Sequence, residues 1–475
     1  MTNAIVVGAG PNGLTAAVLL ARAGLKVTVL EAADQIGGGT RTSELTLPGL
    51  LHDHCSAIHP VGAGSPVLRS LDLEQHGLVW CQPEVDLAHP LDGGGGASMW
   101  RSLADTEAAL GVDGRAWHRL FEPLSSQFDA LADEVFRPVI HLPKRPLRLA
   151  RFGVRALQPA SWIARRWRTD GARALFAGVA AHAFQPLHTP TTAAIGLMLI
   201  SAGHRYGWPV ARGGSRAITD ALAATLSAAG GVVETGRPVR SAADLPAADV
   251  VMFDLSPHAV VDIMGRRLPG RVRSALGRWR YGPAAFKLDL AVEGGIPWTY
   301  PQARRAGTVH LGGTFEEIDA AERAIGRGEL PERPFVLVGQ QYLADPTRSA
   351  GDVHPIWAYA HVPNGYSGDA SAAILGQIER FAPGTRERIL FKAVRTTTEL
   401  AAYNPNFVGG DIATGANTPR QVALRPRLAL DPYHLGVPGY YICSAATPPG
   451  AGVHGMCGYH AARSALRHLS GFGRL

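Results

Sequence analysis

The sequence predicts an α/β fold organised around a parallel sheet with dinucleotide-binding turns, and three observations predict it. Residues 4–32, "AIVVGAGPNGLTAAVLLARAGLKVTVLEA", run from strand through glycine turn and helix to a second strand. A second glycine loop, "DQIGGGTRT", follows at once. Another GxGxxG then stands near the end of the chain, after the apolar run "YYICSAA".

The opening stretch is informative because its parts agree. Residues 4–7 read as a short buried strand, 14–23 as a helix and Lys26–Leu30 as a β-branched strand, which together make one βαβ unit. Gly8, Gly10 and Gly13 supply GxGxxG at the strand-to-helix turn. The first permits the tight turn, the second lets backbone approach a pyrophosphate, and the third lets helix pack closely on strand. The helix start offers unpaired N–H groups and a positive dipole end to phosphate. Glu31 closes the second strand, placed to accept from ribose hydroxyls and to repel a 2′-phosphate. A tight turn that binds nothing is the alternative; strand, helix, strand and acid in register weigh against it.

The loop that follows selects among dinucleotides. A plain NAD dehydrogenase would pass straight into another crossover helix. Gly37, Gly38 and Gly39 instead let backbone approach a longer cofactor, with Arg41 available to its phosphates. At these residues the chain resembles the phytoene desaturase-like flavoproteins, within the wider amine oxidase and GDI-like FAD superfamily. The resemblance runs the length of the chain and is strongest to bacterial phytoene dehydrogenase-related oxidoreductases. It implies a Rossmann-like FAD-binding domain of the GDI-like and amine oxidase type, interleaved with an α+β substrate domain. It implies FAD, with Glu31 on the adenosine ribose and Gly38, Gly39 and Arg41 near pyrophosphate and flavin. Val239 and the C-terminal Gly450, Gly452 and Val453 are further cofactor contacts on the same basis.

The FAD-binding domain is expected in three segments, 1–70, 206–265 and 425–475. In the second, Gly213 and Gly214 precede a helix over 215–229, with strands near Val232 and over 249–253. Residues 71–205 and 266–424, richer in β signals, prolines and aromatics, are expected to form the substrate domain. "VDLAHPLDGGGGASMW" reads as a hairpin turning at residues 92–96. The C-terminal GxGxxG is no second nucleotide site, because the 20 residues after Gly455 leave room for one helix and no βαβ unit. By the resemblance, the helix after Gly455 instead aims its N-terminus at the flavin's C2 carbonyl and stabilises the reduced, negative form. Ser444-Ala445 stands where the family often has Gly-Ala.

Bulk properties exclude other classes. Composition is ordinary for a soluble enzyme, 46% apolar and 18% charged. No apolar run reaches the roughly 18 residues that span a bilayer, and no basic leader precedes the first strand, so a cytoplasmic or membrane-peripheral protein is expected. Cys55, Cys81, Cys443 and Cys457 form no metal spacing and read as reduced, mostly buried thiols. The net charge of +7 is carried mostly by arginine without a nucleic-acid motif, so no nucleic-acid partner is expected.

Flavin desaturation moves a hydride from one carbon and a proton from its neighbour, which calls for a base in a dry site. "HDHCSAIHP" supplies His52, Asp53, His54 and His59. His54 and His59 are candidate bases, with a structural histidine as the alternative for each; no partner cluster supports a metal site. His454, inside the C-terminal glycine loop, is the third candidate. "NPNFVGGDI", residues 404–412, resembles a family segment near the substrate side of the flavin, or is a hairpin turn; His361 reads as structural. The substrate class implied is a largely apolar small molecule, such as an isoprenoid, polyene or acyl chain. A flavin amine oxidase, an FAD-dependent isomerase and a non-catalytic GDI-like lipid carrier are the alternatives.

One segment lies outside this frame. "PKRPLRLARFGVRALQPASWIARRWR", residues 143–168, holds eight basic residues and no acidic one. On a helix begun near Pro146, Arg148, Arg151 and Arg155 share one face, and Leu147, Ala150, Val154 and Leu157 a neighbouring one. A solvated lid, a clamp for an anionic substrate group and an anionic membrane surface are the three readings.

Overall fold

The computed structural model describes residues 2–471, and two sheets organise them. The first is parallel and five-stranded, in the order Tyr440–Ile442, Val250–Phe253, Asn3–Val7, Lys26–Leu30, Val232–Glu234. Its strands are short apolar runs whose side chains alternate between faces, as period-two geometry requires. Ala4, Val6, Val27 and Val29 enter the main core, under helices Pro11–Arg22, Arg216–Ala228 and Met456–Leu469. Ile5, Val7, Leu30, Val251 and Phe253 enter a smaller cluster with Val260, Ile263 and Leu276. The register sets Val7 beside both Leu30 and Phe253, and Phe253 beside Ile442. The residues that follow these strands, Gly8, Glu31, Asp254 and Cys443, therefore emerge along one carboxyl edge, where open α/β sheets bind ligands.

The second sheet has seven strands, in the order Ile389–Arg395, Ala284–Glu293, Val353–Val362, Val336–Gly339, Ala306–Leu311, Val85–Pro90, Gly96–Met99. Every pairing is antiparallel except Ala306–Leu311 with Val85–Pro90. One face carries Phe286, Leu288, Leu290 and Ile356 and is covered by helix Ser371–Phe381. The opposite face, with Ala285, Trp357 and Tyr359, joins the main core. Together they form the mixed α/β architecture expected.

Several expectations shift in detail. The hairpin around the four glycines forms, with its strands closing at Pro90 and Gly96. The strand expected over 440–446 stops at Ile442, because the two prolines and three glycines that follow impose a loop. The β signals read into 71–205 are corrected beyond residue 102: helices dominate from Leu103 to Tyr206, including Gly114–Ser125, Asp170–Ala180 and Thr192–Tyr206. Cys55, Cys443 and Cys457 are buried and all four cysteines are free thiols. Among the described residues no helix is long and apolar enough to cross a membrane.

Candidate functional site

The first glycine turn is shaped by close approaches that a side chain would block. Gly8 has φ +102°, in the left-handed region that glycine alone enters freely. A Cβ on Gly10 would lie 2.7 Å from the Asp254 carboxylate, and one on Gly13 would collide with the carbonyl of Gly8. Glu31 is buried; its carboxylate accepts from the N–H of Ala9 at 2.8 Å, the N–H of Ala33 at 3.0 Å and the guanidinium of Arg41 at 3.3 Å. A carboxylate has about four lone-pair sites, so acceptor capacity remains for a ribose hydroxyl.

The second glycine loop folds back on the first. Gly37 donates its N–H to the Ala9 carbonyl at 2.9 Å, and a Cβ on Gly38 would sit 3.3 Å from the Cα of Gly10. Arg41 is pinned by the carbonyls of Gln35 and Ile36 and lies over the Tyr403 ring at 5.2 Å. Tyr403 in turn donates its hydroxyl to the Gly38 carbonyl at 2.7 Å. The segment 404–412 is no hairpin. It leaves helix Thr397–Tyr403 through a short turn at Val408–Gly410, with Phe407 against Gly39 and Asn406 bonded to Ser256 and to the Asp254 carbonyl.

The C-terminal glycines complete the enclosure. Gly455 precedes helix Met456–Leu469 and abuts Thr15; Gly458 abuts Asn12. Helix Met456–Leu469 thus begins beside the start of helix Pro11–Arg22, and two anion-attracting N-termini share one edge of the sheet. Gly450 and Gly452 both have positive φ, and Gly450 has no room for a Cβ because the buried Arg425 guanidinium fills that space. The Val453 carbonyl lies against Gly62. Val239 is half-buried against the Leu30 and Phe253 cluster, two residues beyond Arg237, whose N–H donates to the Glu31 carbonyl.

These features fit a dinucleotide on the chemistry of the donors. Among the described residues the N–H groups of Gly10 and Asn12 have no acceptor, and the buried Asn12 Oδ1 has no partner. Close-set glycines at 8–13 and 37–39 keep side chains away from these N–H groups.

The three candidate histidines separate. His54 stacks on Tyr403 with centroids 4.9 Å apart and bonds Ser43 Oγ through Nε2, while its buried Nδ1 has no partner. Burial, then Arg395 and Lys287, push its pKa down to about 3, so the ring is neutral. His59 lies deeper, bonded to Ser215 Oγ at 2.8 Å, and burial lowers its pKa to about 4. His454 accepts the Met456 N–H through Nδ1 at 3.1 Å and stacks on Phe136, with burial again lowering it to about 4. It caps the last helix. His361, read as structural, pairs with the buried Glu322 at 2.6 Å.

Asp254, Lys287, Asp289 and Arg348 are buried charged groups that the sequence did not single out. Asp254 receives the Gly13 N–H at 2.9 Å beneath the first turn, and burial, with Glu31 adding to it, raises its carboxyl to about 7. Lys287 and Asp289 form a buried ion pair on the second sheet, and Asp289 also faces His52 Nδ1 at 3.3 Å. Burial pulls the Lys287 ammonium below its ordinary range, while Lys287 and His52 outweigh the same effect on Asp289 and hold its carboxyl down. Asp289 stands opposite Trp357 and Lys287 opposite Tyr359, which puts this pair on the face toward Cys55 and the second glycine loop. Asp53 and Arg348 form a second buried pair at 2.5 Å, extended by Thr42, Ser215 and Asp345. Lys287 and Asp289 are neighbours on one face of a strand, whereas Asp254 with Gly13 and Asp53 with Arg348 join residues far apart in sequence. Among the described residues no cluster is arranged to hold a metal ion.

Comparison with known proteins agrees with this geometry. Residues 6–72 match the NAD(P)-binding Rossmann-like domain family. A pyridine nucleotide-disulfide oxidoreductase domain-containing protein 2 from Rattus norvegicus is 25% identical, over 98% of this chain and 94% of its own. A hydroxyneurosporene desaturase from Cereibacter sphaeroides is 32% identical over 34% of this chain and 32% of its own. A structure of putrescine oxidase superposes with a TM-score of 0.60 over 99% of both chains at 17% identity.

Proposed function

We propose, for a chain that carries a Rossmann-like NAD(P)-binding domain in the fold of the amine-oxidase-type FAD oxidoreductases, that it is an FAD-dependent dehydrogenase or desaturase. Its substrate is a largely apolar molecule such as an isoprenoid, polyene or acyl chain, oxidised at a C–C bond in the manner of the phytoene desaturase-like enzymes. One observation supports this reading above the rest: the two GxGxxG motifs and the 37–41 loop are drawn into one continuous set of glycines, with Gly38 against Gly10 and Gly455 against Thr15. That is a longer cradle than a single βαβ turn provides.

FAD, when bound, supplies the hydride acceptor. The chain's own residues do the rest. Glu31 would accept from the ribose hydroxyls of bound FAD, and the N–H groups of Gly10 and Asn12 would hold its pyrophosphate. Arg41, fixed between Glu31 and Tyr403, sets the charge beside it. The start of helix Met456–Leu469 favours negative charge nearby. His54 is the proposed proton acceptor on the strength of its position and its unpartnered Nδ1; burial, Arg395 and Lys287 oppose its protonation, so the proton must pass on at once. Arg395, near His54 and Cys55 and paired with no carboxylate among the described residues, favours a neutral substrate over an ammonium ion. The partial likeness to hydroxyneurosporene desaturase points the same way.

The test is the colour of the purified protein. Flavin absorbance, released on denaturation as free FAD, is the expected result. A protein that stays colourless after incubation with FAD sinks the proposal and favours a lipid carrier on the same fold.

A further inference from the structure

Seven of the fifteen large apolar side chains exposed among the described residues fall between positions 139 and 162. Leu142 is 92% exposed, Leu147 77%, Val154 and Leu157 67% each, and Trp162 55%. The helix Pro146–Ala156 buries the opposite side, through Phe152 and Ala156. Its apolar stripe is therefore not the face that packs on the protein. Positions 147, 154 and 157 lie within about 80° of one another at 3.6 residues per turn. Arg148, Arg151 and Arg155 occupy the adjoining sector, between the exposed stripe and the buried face. Among the described residues no carboxylate pairs with these three, and residues 143–168 contain no acid to neutralise them.

The segment is anchored rather than dangling. Glu134 accepts from the Arg145 N–H at 2.9 Å and bonds His141 Nε2 at 3.0 Å, which fixes the approach to the helix. Phe136, just before the exposed run, stacks on His454 in the C-terminal glycine loop and accepts from His460 at 2.6 Å. A solvated lid would expose its arginines and bury its leucines. Here both are outside, side by side, with a tryptophan at one end. A clamp for an anionic substrate group would turn its arginines inward, and Arg148 and Arg151 are exposed.

We propose that residues 139–162 dock on an anionic lipid surface, with Leu142, Leu147, Val154, Leu157 and Trp162 entering the headgroup–acyl boundary and Arg148, Arg151 and Arg155 facing lipid phosphates. The pattern meets the requirement for an interfacial helix, an apolar stripe beside a basic one with an aromatic anchor. The occupant is a bilayer because the apolar stripe and the unpaired cations are contiguous. The attachment is independent of which molecule the flavin site oxidises, and through Phe136 it sits one side chain from the C-terminal glycine loop.

The test uses the full-length protein as purified, floated with vesicles of phosphatidylcholine alone or mixed with phosphatidylglycerol. Flotation with the mixed vesicles at low salt, weakened at high salt and missing with phosphatidylcholine alone, is expected. Each cation near such a surface strengthens attachment roughly fivefold, so Arg148→Glu/Arg151→Glu/Arg155→Glu should lower vesicle affinity by about a hundredfold or more. Vesicles of brominated lipid should quench tryptophan fluorescence in the wild type and measurably less in Trp162→Phe, a readout that does not depend on the triple variant folding. No flotation with anionic vesicles overturns the proposal, as does flotation unchanged in the triple variant or quenching unchanged by Trp162→Phe. A stable dimer that Leu147→Glu/Leu157→Glu splits, with no vesicle binding, also overturns it and assigns the face to a second copy of the chain.

Discussion

Gly458 and Asn12 touch backbone to backbone: a Cβ on Gly458 would overlap the carbonyl oxygen of Asn12. The last helix of the chain is thus seated on the first through two atoms of main chain. With Gly455 against Thr15, this contact brings the terminal glycine motif to the opening one. Gly458→Ala must push the helices apart, which costs about 1–3 kcal/mol by the usual penalty for overpacking. Urea denaturation should show that loss together with weaker retention of FAD. Wild-type stability in the variant would mean the helices can separate without cost.

Glu31 is tied to both glycine loops through Ala9 and Arg41. Glu31→Gln keeps an acceptor and loses the charge on Arg41, and removing a hydrogen bond to a charged group costs about 1.5–3 kcal/mol. A fall of roughly tenfold or more in FAD affinity follows, read by quenching of flavin fluorescence on titration. Glu31→Arg should abolish binding, since it sets a second cation beside Arg41. Unchanged affinity in both would remove Glu31 from the binding site.

Asp254 makes stability depend on pH. Its carboxyl is raised from 3.8 to about 7 by burial and by Glu31. A raised folded-state pKa gives stability that is fully present below the unfolded value and lost as pH rises through the folded one. The wild type should therefore lose roughly 3–4 kcal/mol from this group between pH 4 and 7. Asp254→Asn cannot ionise, so its stability relative to wild type should climb over that window and level off above it. A difference that is flat from pH 4 to 8 would show that Asp254 is ionised throughout.

Arg348 and Asp53 are both fully buried. Burial opposes ionisation of Asp53, but Arg348, the Ser215 N–H and Thr42 outweigh it and hold the carboxyl below its usual range. Arg348→Met strands that charge and should cost about 3–5 kcal/mol. Asp53→Asn added to it should recover part of the loss, since an amide still accepts from Ser215 and Thr42 while needing no counter-ion. Denaturant melts of the two variants decide it: a double variant less stable than Arg348→Met contradicts the stranded-charge account.

The C-terminal GxGxxG leads into a single helix, and among the described residues no strand follows it. Among the described residues no second βαβ unit stands beside the one proposed for FAD, so none is offered to NADH or NADPH. Anaerobic mixing with either nucleotide should leave the flavin absorbance unbleached over the time in which an oxidisable substrate would reduce it. Rapid bleaching would make the enzyme a nicotinamide-dependent reductase.

The first βαβ unit was legible in the sequence almost to the residue. Lys26–Leu30 is the strand read from its β-branched run, and Gly8 and Gly10 stand in the turn, while the helix read over 14–23 opens three residues earlier at Pro11 and takes in Gly13. The hairpin at residues 85–99 and the helix after Gly455 were equally plain. Such signals are local: a glycine's φ, a β-branched χ1 or an apolar period acts within a few residues and survives in any context. The basic segment was half legible. Its two faces could be drawn on a helical wheel, but Phe152 and Ala156, outside the drawn stripes, turned out to be the buried side.

What the tertiary structure alone decided is where charge is buried and what stands beside it. Asp254 reaches Gly10 and Gly13 because parallel register sets Phe253 against Val7. Lys287, Asp289 and His52 meet because the hairpin Thr42–Glu44 and Leu51–Asp53 lies against the face of the second sheet that carries Lys287. The same is true of Asp53 and Arg348, almost three hundred residues apart. A buried ion is tolerated only when its counter-charge arrives within a few ångströms, and that arrival depends on long-range pairing of strands. Apart from Lys287 and Asp289, two residues apart on one strand, sequence spacing carries no trace of it, so the glycine cradle could be foreseen and most of its charged floor could not.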